Sequence, residues 1–446
     1  MKALNQYIEL YKEQKDVIEN TSAPGLNAQR AFALEALAHK GLPVESDENY
    51  LHSNVEEWLA PNYGLNIQRL NLPLDTEEPF RCSVPNLSTQ LYFLNGDSFM
   101  PAPQTNASLL PDGVIVKGLN TFACDYPEIF SRYYNKSSFT DGTSFLNTLL
   151  VQDGFVVYVP KNVVVEKPIQ LIELMQSQFS MLACRRILLI LEQGAALKLL
   201  LCDHSLRMQE YLSLQVVEAF VEDNASLELY DLEETHTGNS RISSLYVNVG
   251  NDSRFVCNNI TLHNGRTRNS ANVAVNGHGA EIVLNGIVIA DKEQHVDNYT
   301  FIDHNSCNST SRELFKYVLS GSSVGAFKGK VLVRGGAQGT DSQQTNRNLA
   351  LTSSARMFAE PQLEIYADNV KCSHGATVGQ LDQAALFYMR QRGISEQEAK
   401  MLLKEAFVGE VIDSIPLAPL RDRLNRLISL RFRGQLAQCK GCNICH

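Results

Sequence analysis

Two groups of residues have types and spacings that could handle metal or sulfur. Lys371-Cys372-Ser373-His374-Gly375 sets a thiol and an imidazole two positions apart, so in an extended segment both leave the same face. A thiolate with an imidazole suits iron or zinc, and a neighbouring histidine can depress a thiol pKa. On the residues alone the competing reading is a buried cysteine beside a turn-capping histidine. The second group is Cys439-Lys440-Gly441-Cys442-Asn443-Ile444-Cys445-His446. Cysteines three apart, twice over, match the start of a ferredoxin-type run or part of a Cys3His zinc site. The fourth ferredoxin cysteine and its proline are missing, and adjacent Cys445 and His446 close awkwardly on one metal. The competing reading there is a terminal tail with exposed thiols.

Other reactive side chains carry weaker signals. Asp231, Glu233 and Glu234 form one acidic cluster and Asp291, Glu293 and Asp297 another. Polysaccharide enzymes built on β-helices use such carboxylates, often with calcium, but acids at loop edges are expected to be solvated. His204, His236, His263, His278, His295 and His304 are scattered and expected to be hydrogen-bonded structural residues. Cys82, Cys124, Cys184, Cys202, Cys257 and Cys307 show no ligand spacing.

Nucleotide and hydrolase signatures are absent. Gly325-Ala326-Phe327-Lys328-Gly329-Lys330-Val331 has neither the spacing of a Walker A loop nor its Ser/Thr. Gly277-His278-Gly279 has Ile282 where a dinucleotide fold needs its third glycine. Neither HExxH nor GxSxG occurs. The chain is therefore expected to bind no ATP and to be no autonomous enzyme. With 39 Lys+Arg against 49 Asp+Glu, its formal charge of −10 argues against holding nucleic acid by overall field. Apolar runs such as Ile187–Leu191 are strand length, well short of the roughly 18 residues of a membrane span. Met1–Gln6 lacks the apolar stretch of a signal peptide. The ten cysteines are then expected to be reduced in the cytosol.

The elements that must position these groups fall into three zones. Leu4, Tyr7, Ile8 and Tyr11 share a helical face, and Ala28–His39 reads as a second helix stopped by Gly41 and Pro43. A stretch from about Pro61 to Pro111 loses its period, apart from the strand-like Leu91–Leu94. From Gly113 to about Cys372 the chain is strand-rich and repeats: Gly194–Leu199 returns as Asn224–Leu229, Asp252–Cys257 and Gly279–Leu284. After an apparent longer insertion come Ser322–Phe327 and Ser353–Phe358. A period near thirty without intervening helices predicts a mainly β fold, a parallel β-helix of roughly eight to ten coils. Beyond Gly375 the period is helical again. Asp382 caps one helix. Ser395-Glu396-Gln397-Glu398 is a capping box ahead of the stripe Ala399, Leu402, Leu403, Ala406, Phe407 and Glu410. A last helix from about Pro419 turns Leu420, Leu424, Leu427 and Ile428 inward. The division is residues 1–110 (helical domain and linker), 111–375 (β-helix) and 376–446 (helical domain with Cys-rich tail).

The stretches Pro361–Gly379 and Leu386–Ile394, with Leu110–Val116 and Gly41-Leu42-Pro43 nearer the N-terminus, closely resemble the SufD family of the Suf iron–sulfur cluster assembly complex. SufB-like sister chains carry Glu-His-Glu-Ala where this one has Ser373-His374-Gly375-Ala376. They also carry a scaffold cysteine where this one has Ser353-Ser354-Ala355-Arg356. The resemblance implies a right-handed parallel β-helix flanked by helical domains. It implies pairing with a SufB-like scaffold, and C-terminal helices that dock a SufC-like ABC ATPase. A homodimer of the isolated chain stays open, and no flavin is assigned. It further implies that Cys372 and His374 hold iron or a nascent Fe–S cluster at the SufB interface. Phe387, Ala399, Leu403, Phe407 and Val408 mark the region expected to meet the ATPase. The Cys439, Cys442, Cys445 and His446 set departs from the SufD pattern. The alternative functions are a self-contained metal-binding protein using that tail and a β-helix carbohydrate enzyme.

Overall fold

A computed structural model describes residues 3–72, 84, 87–88, 90–137, 141–177, 179–204 and 210–435. The tail set Cys439, Cys442, Cys445 and His446 lies outside the described residues.

The chain opens with α1 (Ala3–Asn20), α2 (Pro24–Asn27), α3 (Arg30–Lys40) and α4 (Val55–Trp58). Tyr7 and Tyr11 are buried on α1 together with Ala3 and Ile18, while Leu4 and Ile8 are half-buried beside them. Gly41, at φ +76°, ends α3, a backbone position that glycine takes without strain.

The strands then wind into two stacked sheets. β4 (Phe155–Val159), β6 (Met181–Leu191), β8 (Tyr211–Val221), β10 (Ser240–Val249), β12 (Arg266–Val275), β14 (His295–His304), β16 (Val324–Val333) and β18 (Arg356–Ile365) follow one another in the first. β5 (Ile169–Leu174), β7 (Ala196–His204), β9 (Ser226–Glu234), β11 (Arg254–His263), β13 (Glu281–Ala290), β15 (Thr310–Leu319), β17 (Asp341–Ala350) and β19 (Lys371–Gly379) follow in the second. All these pairings are parallel. Each coil gives one strand to each sheet, and the whole is a parallel β-solenoid of about eight turns. β1 (Leu91–Asn95), read from the sequence as part of the N-terminal 110 residues, pairs with β5 and so belongs to the second sheet.

The ends differ. At the start, β2 (Ser98–Pro101) runs antiparallel to β1 and β3 (Ile115–Gly118) antiparallel to β4, which closes the first coil. β2 and β3 end their sheets as β18 and β19 do at the far end, but β1 is buried throughout and β2 and β3 are mainly half-buried, whereas β19 is exposed at every position except Cys372. The solenoid is capped at one end and open at the other.

One corner of the coils, ahead of each odd-numbered strand from β5 to β17, is held in the left-handed region. Asn162, Gly194, Asn224, Asp252, Gly279, Asn308 and Gly339 all have positive φ, and each donates its N–H to a carbonyl of the next coil at 2.7–3.2 Å. Glycine, asparagine and aspartate are the types that tolerate this conformation. This ladder corrects the phase of the sequence repeat. Gly194, Asn224, Asp252 and Gly279 precede odd-numbered strands, whereas Ser322 and Ser353 precede β16 and β18 at the opposite corner. The true continuation is Asn308 and Gly339, ahead of β15 and β17, and the longer insertion disappears. Both corners pair small residues with an alternating strand, so similarity alone did not separate them.

Helices cover both outer faces. α5 (Leu119–Asp125), α6 (Pro127–Tyr133) and α7 (Gly142–Leu150) occupy a stretch read as strand-rich. All nine residues of α7 are buried, although Thr143, Ser144, Asn147 and Thr148 share one face and Phe145, Leu146, Leu149 and Leu150 the other, a helical period that the strand-rich reading passed over. Its Phe145, Leu146, Leu149 and Leu150 pack with α1 against Leu182, Leu212, Leu214 and Ile242 on the first sheet. On the second sheet lie α9 (Glu396–Asp413) and α10 (Ala418–Phe432), and α8 (Gln383–Gln391) packs against α9. Asp382 accepts N–H bonds from Ala384 and Ala385, and Ser395 accepts one from Glu398, so both N-caps form; the expected box is half made, because the Glu398 carboxylate lies 3.7 Å from Arg433 instead of reaching back. Leu420, Leu424, Leu427 and Ile428 face inward as expected. The α9 stripe is rotated: Ala399, Met401, Val408, Val411 and Ile412 are buried, while Leu402 and Ala406 are exposed. α9 is apolar on two faces, and the one running on to buried Ile415 won the sheet.

Candidate functional site

Cys372 and His374 lie on β19, the terminal strand at the open end. Cys372 packs against the core between the sheets, and His374, two positions on, shares its inward face. Cys372 is half-buried and His374 exposed, because no coil follows. Burial raises the Cys372 thiol pKa, with Asp341 adding to the rise and the Ser342 N–H opposing it. Gly375 and Gly379 have open space where a side chain would stand, so the strand edge is unobstructed.

The coils beneath are in register with these two residues. Cys372 stands over Ser342 and Ser311, and His374 over Gln344 and Glu313. One coil further in, the same columns become Ile282 and Leu284, with Phe255 and Cys257 behind them. Both columns therefore change from apolar to polar at β15, two strands below the open end. Ser311 Oγ bonds Ser342 Oγ at 2.8 Å and His304 Nε2 at 3.0 Å, while His304 Nδ1 reaches Ser309 at 3.0 Å. Gln344 Nε2 donates to Glu313 Oε2 at 2.7 Å, and Thr300 Oγ1 donates to the same oxygen at 3.1 Å. Glu313 Oε1 and Gln344 Oε1 are buried without a partner. Desolvation pushes the Glu313 pKa up to about 7 despite those two donors. Gly329 on β16 makes room, since a Cβ there would lie 2.2 Å from Gln344 Nε2.

The first sheet is strapped from outside, close to this end. Arg268 bonds Asn49 O and Asp297, Ser53 donates to Asp297, and Lys328 bonds Glu48 O. His52 stacks on Phe358 of β18 with ring centroids 4.0 Å apart.

Of the acidic clusters Glu293 is an exposed turn residue, as expected, but most of the others are not solvated loop edges. Asp231 and Glu233 are buried, with Arg241 ion-paired to Asp231 at 2.6 Å and Thr267 donating to Glu233 at 2.7 Å. Arg185 pairs with Asp203 at 2.9 Å in the same buried network. Asp297 is buried against Arg268, and Asp291 binds Arg431 of α10. A sheet buried on both faces hides the alternation that would have marked these acids as interior. His304 and His263 are hydrogen-bonded structural histidines, as expected. Glu313 and Gln344 were missed. The sequence signal was their place in the repeat, which becomes readable once its phase is corrected.

On the C-terminal helices, Ala399 and Val408 are buried, and Leu403 and Phe407 are half-buried. Phe387 is 63% exposed, next to Tyr388 at 57% and near Leu402 at 37%. An accessible apolar face thus exists, built on α8 and the outer side of α9. Glu410, the odd member of the sequence stripe, accepts from Lys316 of β15 at 2.6 Å and Arg347 of β17 at 3.1 Å.

Comparison with known proteins matches most of the chain. Residues 174–407 match the family model described as SUF system FeS cluster assembly, SufBD core domain, and residues 1–171 match the SufBD protein N-terminal region. An iron–sulfur cluster assembly SufBD family protein of Synechocystis is 29% identical over 96% of each chain. The iron–sulfur cluster assembly protein SufD of Bacillus subtilis is 27% identical, over 72% of this chain and 74% of its own. SufD of Escherichia coli is 33% identical over 42% and 44%.

Proposed function

The chain belongs to the SufBD family of SUF-system iron–sulfur cluster assembly proteins, and from that membership we propose that it is a non-catalytic scaffold subunit of a cytoplasmic Suf complex. Its open solenoid end pairs with a SufB-like scaffold, and its C-terminal helices carry a SufC-like ATPase. The observation that carries this reading is the pairing of Cys372 and His374 on the inward face of a terminal strand that pairs with β17 on one side only. An exposed strand edge presents free N–H and C=O groups to a partner strand. A thiol and an imidazole at that edge would then lie at the subunit interface.

Iron and sulfide are cargo here, not resident cofactors. Ligation requires loss of the Cys372 proton, which burial opposes and a bound metal favours. His374 supplies a neutral nitrogen. ATP hydrolysis by the partner would move the helices against the second sheet through the Lys316–Glu410–Arg347 contact, opening the interface to iron. Phe387, Tyr388 and Leu402 are the accessible apolar side chains for the ATPase.

The test is co-purification of the tagged full chain from its own cells, beside a variant with Val378→Pro, which removes a backbone donor from the terminal strand. The expected result is capture of a SufB-like chain and an ABC-type ATPase by the wild type, with the SufB-like chain alone lost in the variant. Capture of neither partner by the wild type refutes the proposal.

A further inference from the structure

His374 has no hydrogen-bond partner among the described residues. Directly beneath it, on the same inward face, Gln344 is 1% exposed and its Oε1 is unpartnered. A ligating imidazole needs an acceptor for its second ring N–H, which fixes the ring and its tautomer. Neighbouring strands lie about 4.8 Å apart, so a side chain on β17 can reach a ring on β19. The Gln344 amide is also held in place: Glu313 accepts from Nε2 at 2.7 Å, and Gly329 leaves the space the amide occupies. With Nε2 engaged, the oxygen is the end left free.

We propose that Gln344 is a positioning residue for His374, its Oε1 accepting the imidazole N–H that does not face the metal, with Glu313 and Gly329 clamping the amide. The inference rests on the reading of His374 as an interface ligand. Gln344 touches no cargo itself. It sets the ring orientation, and Glu313 acts one step further back. The change of both columns from apolar to polar at β15 then has a purpose. A buried acid and amide cost stability unless they hold something in place.

The test uses the full chain assembled with its co-expressed scaffold and ATPase subunits, titrated anaerobically with cobalt(II), whose absorption bands report ligand geometry. Gln344→Leu is expected to weaken binding about 10- to 100-fold, the range for losing such an outer partner, and to shift the bands while assembly persists. The exchange E313Q/Q344E keeps an acid–amide pair and puts a carboxylate oxygen beneath the ring. It is expected to restore both affinity and spectrum. If His374→Ala abolishes binding while Q344L changes neither affinity nor spectrum, the positioning role is wrong. If His374→Ala also leaves binding unchanged, the ligand reading fails and this inference fails with it. Should Q344L not assemble, the exchange variant decides: wild-type binding upholds the role and lost binding overturns it.

Discussion

Glu313 is the residue at which burial, charge and position conflict most openly. It is 3% exposed, with neutral donors at one oxygen and none at the other. Its folded pKa of about 7 stands above the ordinary carboxylate value. The sign follows directly. As pH rises from the ordinary carboxylate range towards 7, the unfolded chain releases this proton while the folded chain keeps it. The residue therefore costs stability progressively across that window, and by a constant amount above it. Glu313→Gln, neutral at every pH, is expected to lead wild type by less than about 1 kcal/mol at pH 5 and by up to roughly 3 kcal/mol at pH 8. Urea unfolding at the two pH values checks this, and an equal difference at both would show that Glu313 is not held protonated. The group was legible as chemistry only after the fold was known. A glutamate between arginine and leucine in a strand reads as solvent-facing, whereas the register turns it into the lumen.

At the scale of elements, the corner ladder does the most to hold the coils in step. Seven left-handed residues, one ahead of each odd-numbered strand from β5 to β17, pass N–H bonds along the solenoid. Asn224→Val at φ +57° is expected to lower stability by about 1–3 kcal/mol through backbone strain, while Asn224→Gly is expected to be nearly neutral. Thermal unfolding of the pair separates strain from loss of the asparagine side chain. The small residues and the thirty-residue period were readable from the chain. Which corner each small residue occupies was not, because a two-sheet coil offers two similar turns per period. The same ambiguity rotated α9. Its two apolar faces are equivalent in sequence, and only contact with Ile287 and Ile289 of β13 selects the one carrying Val411 and Ile412.

At the scale of the molecule, the C-terminal helices are both cover and candidate docking surface. They pack on β11, β13 and β15 and help bury Leu262, Ile287 and Ile289 on the second sheet, each contributing about 1.5–3 kcal/mol. Removing everything after Gly379 is therefore expected to yield an aggregating chain rather than a soluble one lacking the ATPase. Phe387→Asp with Tyr388→Asp on the exposed side is expected to stay soluble and folded while losing the ATPase. Light scattering and co-purification distinguish the two designs, and a soluble, monodisperse truncation would contradict the assigned cover.

By itself the sequence determined a solenoid flanked by helices, the helix caps at Asp382 and Ser395, the inward face of α10, and the thiol–imidazole pair of Cys372 and His374. These are local matters of spacing, turn chemistry and period, which act within a few residues or repeat unchanged along the chain. The tertiary structure alone decided that one end of the solenoid is closed and the other open. It also placed Asp231, Glu233 and Asp297 in the interior and stacked Glu313 and Gln344 beneath His374. Those facts depend on register between strands about thirty residues apart. A shift of one residue turns every side chain to the opposite face, and only the packed coils fix it.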